Sequence, residues 1–382
     1  MESCSSLERG IKYRWQSILR VQRDIIGASG HVGGAVLDQL VKTHPDTLIK
    51  TLIRTSEQSR QLTSKYPSVQ CIIGDLDSLA VIEGACSEAD IVINFAPDIT
   101  HDDGIQAILR GLKRGAAGRK RYYIHTSGAY LVIDTTESGG LKDARVWDDV
   151  ADIEELISMP DSVTHAVTDK MVRSAWPEIN VSIIAPGIIG GVSPSISHPC
   201  PLTTEQLVQA ARAMKSGFQI ERGENQLGFV HVLDLAQMYM LLIDDALASL
   251  SGSNITEHRI PLWGSQAYYF GVTENIRFSE LMRNGLVPVM FENGIIESTE
   301  VVSTSASEVA RAILYGDGYD PDGPPPPPDS WALHVAAALG LNMRIVASRM
   351  AKLGWKPVQG SVVRSYDDAI PLYLRLERGN KG

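Results

Sequence analysis

Three glycines at three-residue spacing, Gly27, Gly30 and Gly33 in "DIIGASGHVGGAV" (residues 24–36), follow a short apolar run and open a helical pattern. A tight strand-to-helix turn uses the first glycine for the bend and the second to let backbone amides approach a diphosphate; the third lets helix and strand touch. Behind the turn, Val36, Leu37, Leu40 and Val41 recur at helical spacing, and "TLIKTLIRTS" reads as a buried strand ending at Arg54. Strand, turn, helix and second strand together make a dinucleotide cradle, with the helix N-terminus facing the phosphates. Its candidate contacts are Gly27, Ser29, Gly30, His31, Val32 and Gly33.

The pattern then repeats. "VQCIIGDL", "ADIVINFAP", "KRYYIHTSG" and "NVSIIAPGIIGG" read as strands, and "SLAVIEGAC" and "GIQAILRGLKRG" as helices between them. Apolar strands alternating with helices predict an α/β fold with a parallel sheet covered on both faces. One stretch is out of character: "RVQRDII" sets Arg23 and Asp24 where a central strand is apolar, so the first strand is expected to be short or irregular. Residues 1–24 read as a flexible extension, without the apolar stretch of a secretory signal. Pro324–Pro328 are expected to form a stiff, extended surface connector.

The net charge of −10, from 35 basic and 45 acidic residues with no basic block, argues against nucleic acid as a partner. No apolar run approaches the ~20 residues of a bilayer span, so no membrane partner is expected. The scattered Cys4, Cys71, Cys86 and Cys200 lack metal-ligand spacing and fit a reducing, cytoplasmic setting with no metal. About twenty residues past the turn, an acidic side chain would hold the 2′-hydroxyl of NAD, whereas a basic one accommodates the 2′-phosphate of NADP. Arg54 stands there, with Ser56 and Arg60 as helpers, so NADP is expected ahead of NAD.

At these residues the chain resembles the extended and atypical short-chain dehydrogenase/reductases, the NAD-dependent epimerase/dehydratase and NmrA-like group. "GASGHVGG", "GDL" at 74–76, "NFAP" at 94–97, "HTSG" at 125–128, "APGIIGG" at 185–191, "VHVLDLA" at 230–236 and "LGWKP" at 353–357 carry the resemblance. It implies a doubly wound Rossmann sheet over residues 25–190. Residues 191–382 would then build a smaller C-terminal substrate lid, with segments returning to the sheet. It also implies cofactor contacts at Asp75, Leu76, Phe95 and Ala96.

The family's chemistry rests on a serine after the fifth strand and a tyrosine four residues before a lysine. The lysine holds the nicotinamide ribose and lowers the tyrosine's pKa, and the tyrosine exchanges a proton with the substrate. Ser127 matches the serine and Lys170 the lysine, but the tyrosine's place is Ala166, which cannot exchange a proton. His165, beside the empty place, and Tyr130, three residues past Ser127, are the candidate substitutes, with water as a third. His231 and Asp234 read as structural. The resemblance implies an oxidoreductase acting on a small organic carbonyl, imine or alcohol. Two alternatives stay open: an epimerase, dehydratase or cyclase without net redox, and an NmrA-like regulator that binds dinucleotide without catalysis. A homodimer is an assembly open to the chain.

Overall fold

In the computed structural model of the protein the described residues are 21–96, 101–116, 118–142, 144–253 and 260–379. Most of the predicted extension, residues 1–20, and Pro97 of "NFAP" lie outside them. Seven strands form the central sheet: β1 Gln22–Ile26, β2 Leu48–Ile53, β3 Val69–Ile73, β4 Ile91–Asn94, β5 Tyr122–Thr126, β6 Asn180–Pro186 and β7 Tyr268–Gly271. Their order is β7-β6-β5-β4-β1-β2-β3, and every pairing is parallel. This is the doubly wound Rossmann arrangement, with the order reversing between β1 and β4.

Helices α1 His31–Thr43, α2 Ser56–Lys65, α3 Leu79–Glu88 and α4 Asp102–Gly115 are the crossovers of the first half. Helix α5, Ala166–Arg173, leads into β6, and α6, Val232–Leu250, packs on α1 while α3 packs on α4. Both faces are thereby covered, and β1, β4 and β5 are buried almost throughout. Smaller sheets lie in the second half. Gln226–His231 pairs with Ile188–Gly190 and Glu274–Arg277, and Gly217–Ile220 with Val301–Thr304. Among the described residues no helix is long and apolar enough to cross a membrane.

The first strand is regular, contrary to the reading of "RVQRDII", and it takes in Gln22, Arg23 and Asp24. Its start is fixed from outside. Asp90, 1% exposed, accepts the Gln22 amide at 3.0 Å, Arg119 at 2.6 Å and Arg121 at 3.1 Å. Side chains alternate across a strand, so Arg23 and Asp24 leave β1 on opposite faces. Burial lowers the Arg23 pKa to about 10 against the pull of Asp244 and Asp90.

Burial raises the Asp24 carboxyl to about 7, opposed by the Gln22 hydrogen bond and Lys50. Asp149, which accepts the Phe270 and Arg349 amides, is likewise raised to about 7 by burial. The native state therefore binds these protons more tightly than the unfolded chain, whose carboxyl titrates near 3.8. Their contribution to stability is full below about pH 4 and is lost as pH rises through about 7. Asp24→Asn is expected to raise the melting temperature at pH 8 and to flatten the decline between pH 5 and 8, leaving the part due to Asp149. An unchanged pH profile would show that Asp24 is ionised in the native state as easily as in water.

The proline run is held against the fold. Arg311, on the helix Ala306–Tyr315, donates to the carbonyls of Pro321 and Pro324, and Pro326 is buried while its four neighbours in the run are exposed.

Candidate functional site

Each glycine of the turn meets a different obstacle. Gly27 has φ +85°, a left-handed backbone that suits glycine, and its Cα faces the Phe95–Ala96 backbone. Gly30 caps α1, donating its amide to the Gly27 carbonyl at 3.0 Å. No side chain caps the helix and its first turn holds no acidic residue, so its leading amides are free of the partners that would compete with a bound anion. At Gly33 a Cβ would stand 2.2 Å from the Gly27 carbonyl oxygen. Helix and strand therefore touch there.

The turn opens on a cavity of about 360 Å³. Gly27, Ser29 and Gly30 line it from one end, Arg54 from the end of β2, Asp75 and Leu76 from the loop after β3, and Phe95 and Ala96 from the end of β4. Arg54 is exposed, and among the described residues it makes no ion pair. Arg60, the expected helper, is instead paired with Glu57 on its own helix. Asp75 is fixed by Ser78, whose hydroxyl donates to it at 2.7 Å and holds its pKa below the usual carboxylate value. Apolar walls, uncapped helix amides and an unpaired guanidinium at the far end fit a dinucleotide.

The second group of candidates lies at the carboxyl end of β5. The Ser127 amide donates to the Ile184 carbonyl at 2.8 Å, and its hydroxyl donates to Oδ2 of Asp169 at 3.0 Å. Tyr268, on β7, donates to the same oxygen at 3.1 Å. Asp169 is 5% exposed, and the positive charge of Arg173 faces it from one turn further along α5. A hydroxyl has one proton, so Ser127 as held here presents lone pairs to any other group.

His165 caps α5 with φ 71°, and its ring lies against Gly128, where a Cβ would be 2.5 Å from Nε2. That contact sets the imidazole beside the residue following Ser127. Lys170 turns to the surface and pairs with Asp161. Ala166 is buried, and only about 10 Å³ remains beside it, enclosed by Leu131, Met159, Asp169 and Tyr268 among others. The tyrosine's place has been packed over. Tyr130 meets the ring of His334 at 5.2 Å, and burial raises its pKa.

His231 accepts the Leu233 amide and caps α6, while buried Asp234 accepts the amides of Val358 and Gln359, fastening the "LGWKP" segment. Both act as structural residues. Asp169, Tyr268 and His198 are not among the site residues expected from the sequence, yet Asp169 meets Ser127, Tyr268 meets Asp169, and His198 lines the large cavity. Only Asp169 left a signal, since it stands three positions from Ala166 and so shares its helix face. Tyr268 and His198 arrive from remote segments.

Residues 27–176 match the family of NAD(P)H-binding domains. The chain is 26% identical over 351 residues to the protein named Oxidase ucsJ from an Acremonium species, covering 89% of this chain and 94% of that protein. In fold it is similar to dTDP-glucose 4,6-dehydratase from Bacillus anthracis, solved in complex with NAD, at 11% identity and a TM-score of 0.58, covering 94% of this chain and 98% of that one. Vestitone reductase from alfalfa is similar at 15% identity and a TM-score of 0.54, with 93% and 99% covered. The chain thus has a Rossmann fold, and its residues 27–176 match the NAD(P)H-binding domain family.

Proposed function

We propose that the protein is an NADP-dependent oxidoreductase of small organic molecules, working in the direction that oxidises an alcohol or amine to a carbonyl or imine. The observation that carries this reading is the Ser127 hydroxyl, whose proton goes to Asp169, in a sheet whose glycine turn and Arg54 line a cavity of about 360 Å³. When bound, the dinucleotide supplies a hydride acceptor. Gly30 and the leading amides of α1 would hold its diphosphate, Arg54 its 2′-phosphate, and Asp75, Leu76, Phe95 and Ala96 the adenosine half. Ser127 accepts a hydrogen bond from the substrate O–H or N–H. As that proton moves to Ser127, the serine's own proton passes to Asp169, with Tyr268 and Arg173 steadying the carboxylate. His165 is the second group near enough to Gly128 to take part. Lys170 reaches a ribose only by leaving Asp161. The name of the Acremonium relative, an oxidase, agrees with the oxidative direction.

A second reading, a dinucleotide-binding regulator, is favoured by the packed-over place beside Ala166 and by the outward turn of Lys170. Titration with NADPH and NADH, then nicotinamide absorbance against a panel of alcohols, amines, ketones, aldehydes and imines, separates the two. Tighter binding of the phosphorylated cofactor and reduction of NADP⁺ by an alcohol or amine are expected. Tight binding with no absorbance change on any compound would move the assignment to a regulator or a non-redox isomerase.

A further inference from the structure

A short segment from the second half of the chain, residues 193–198, is fastened across the glycine turn. The Ser193 hydroxyl donates to the His31 carbonyl at 2.6 Å, and the Ser195 hydroxyl donates to the Ser29 carbonyl at 2.8 Å. Lys65 donates to the Pro194 carbonyl, and Gly34 lies so close to Ser195 that a Cβ there would be 2.6 Å from its Cα. The backbone of His198 is held at both ends. Its amide donates to Ser195 Oγ at 3.0 Å, and its carbonyl accepts from Nδ1 of His31 at 3.0 Å.

The two histidines are thereby given different tasks. A carbonyl only accepts, so His31 carries its proton on Nδ1, and burial drops its pKa to about 4. It is a neutral strut. With its backbone fixed, the part of His198 left to face the cavity is the imidazole, which makes no hydrogen bond or ion pair among the described residues. It lines the same cavity as Gly27, Ser29 and Gly30, whereas Arg54 enters from the end of β2. An imidazole N–H donates to a phosphate oxygen in either tautomer, and a protonated ring adds charge.

We infer that His198 is a diphosphate-binding residue, brought to the glycine turn by the 193–198 strap, so that the cofactor is gripped from both halves of the chain. This rests on the dinucleotide reading of the cavity. The test is equilibrium binding of NADPH, NADH and adenosine 2′-phosphate, which lacks the diphosphate, to the wild type, His198→Gln and His198→Ala. The residue holds the strap through its backbone, so both variants should keep the wild-type melting temperature, which is measured alongside.

His198→Ala is expected to weaken NADPH and NADH alike, by about tenfold, as for loss of one charge-assisted hydrogen bond, with a smaller loss for His198→Gln, whose amide still donates, and both leave adenosine 2′-phosphate within about twofold. Unchanged NADPH affinity in folded variants, or an equal loss of adenosine 2′-phosphate, overturns the assignment. A wild-type protein that binds NADH but not adenosine 2′-phosphate would sink the Arg54 reading while leaving His198 to be judged on NADH. A wild-type protein that binds neither dinucleotide would remove the cavity's reading, and this inference with it.

Discussion

Replacing Gly33 by alanine is expected to abolish binding of both NADPH and NADH and to cost about 1–3 kcal/mol of stability, as overpacking does. The new methyl would stand 2.2 Å from the Gly27 carbonyl oxygen and 2.9 Å from its carbon, both main-chain atoms with no rotamer to escape into. Helix α1 must then back away from the turn, and its leading amides move with it. Gly30→Val is expected to act differently. A Cβ there meets only the Gly27 oxygen, at 3.1 Å, so the fold survives while the added bulk enters the phosphate end of the cavity. Fluorescence titration of both cofactors, paired with thermal melts, separates the two effects. A Gly33 variant that binds either cofactor as the wild type does would show that the turn is not the cradle.

Arg54→Asp is expected to weaken NADPH by about 100-fold or more and to leave NADH within a few-fold. Losing a charge-assisted contact to a phosphate costs roughly 1.5–3 kcal/mol, reversing the charge adds repulsion, and about 2.8 kcal/mol is a factor of 100. The residue suits such a test because it is exposed and forms no ion pair among the described residues, so its removal leaves no buried partner stranded. Arg60 is engaged by Glu57, so it offers little relief. Equal losses for the two cofactors would count against a 2′-phosphate contact and leave Arg54 as a surface residue.

The readings that came through from sequence share one property: their determinants are close together along the chain. Apolar strands and amphipathic helices announce themselves within ten or twelve residues. The glycine turn is equally local, since its three glycines serve one bend, one capped helix start and one close contact inside ten residues. Arg54, Asp75 and Phe95 each close a strand or follow one, so the alternation of the fold brings them to one edge of the sheet.

Other features depend on side-chain contacts that no periodicity announces. Arg23 and Asp24 look too polar for a central strand, yet Asp90 and two arginines thirty residues further on anchor its first residue. The proline run could be read as a stiff connector, but its seat under Arg311 could not. Lys170 matches a motif by spacing, and Asp161 on the preceding loop turns it outward.

The layered α/β architecture and the glycine geometry of the turn are written locally in the chain, because periodicity and backbone sterics act over a few residues. The missing tyrosine at position 166 is written there too. What stands around Ser127 and over the glycine turn is set by the packing of distant segments. Asp169 reaches Ser127 from 42 residues away and Tyr268 reaches Asp169 from a further 99, while His198 meets His31 across 167, through a helix face, an added edge strand and a strap. Contacts of that range are set by how the elements pack, and no local pattern of residues encodes them.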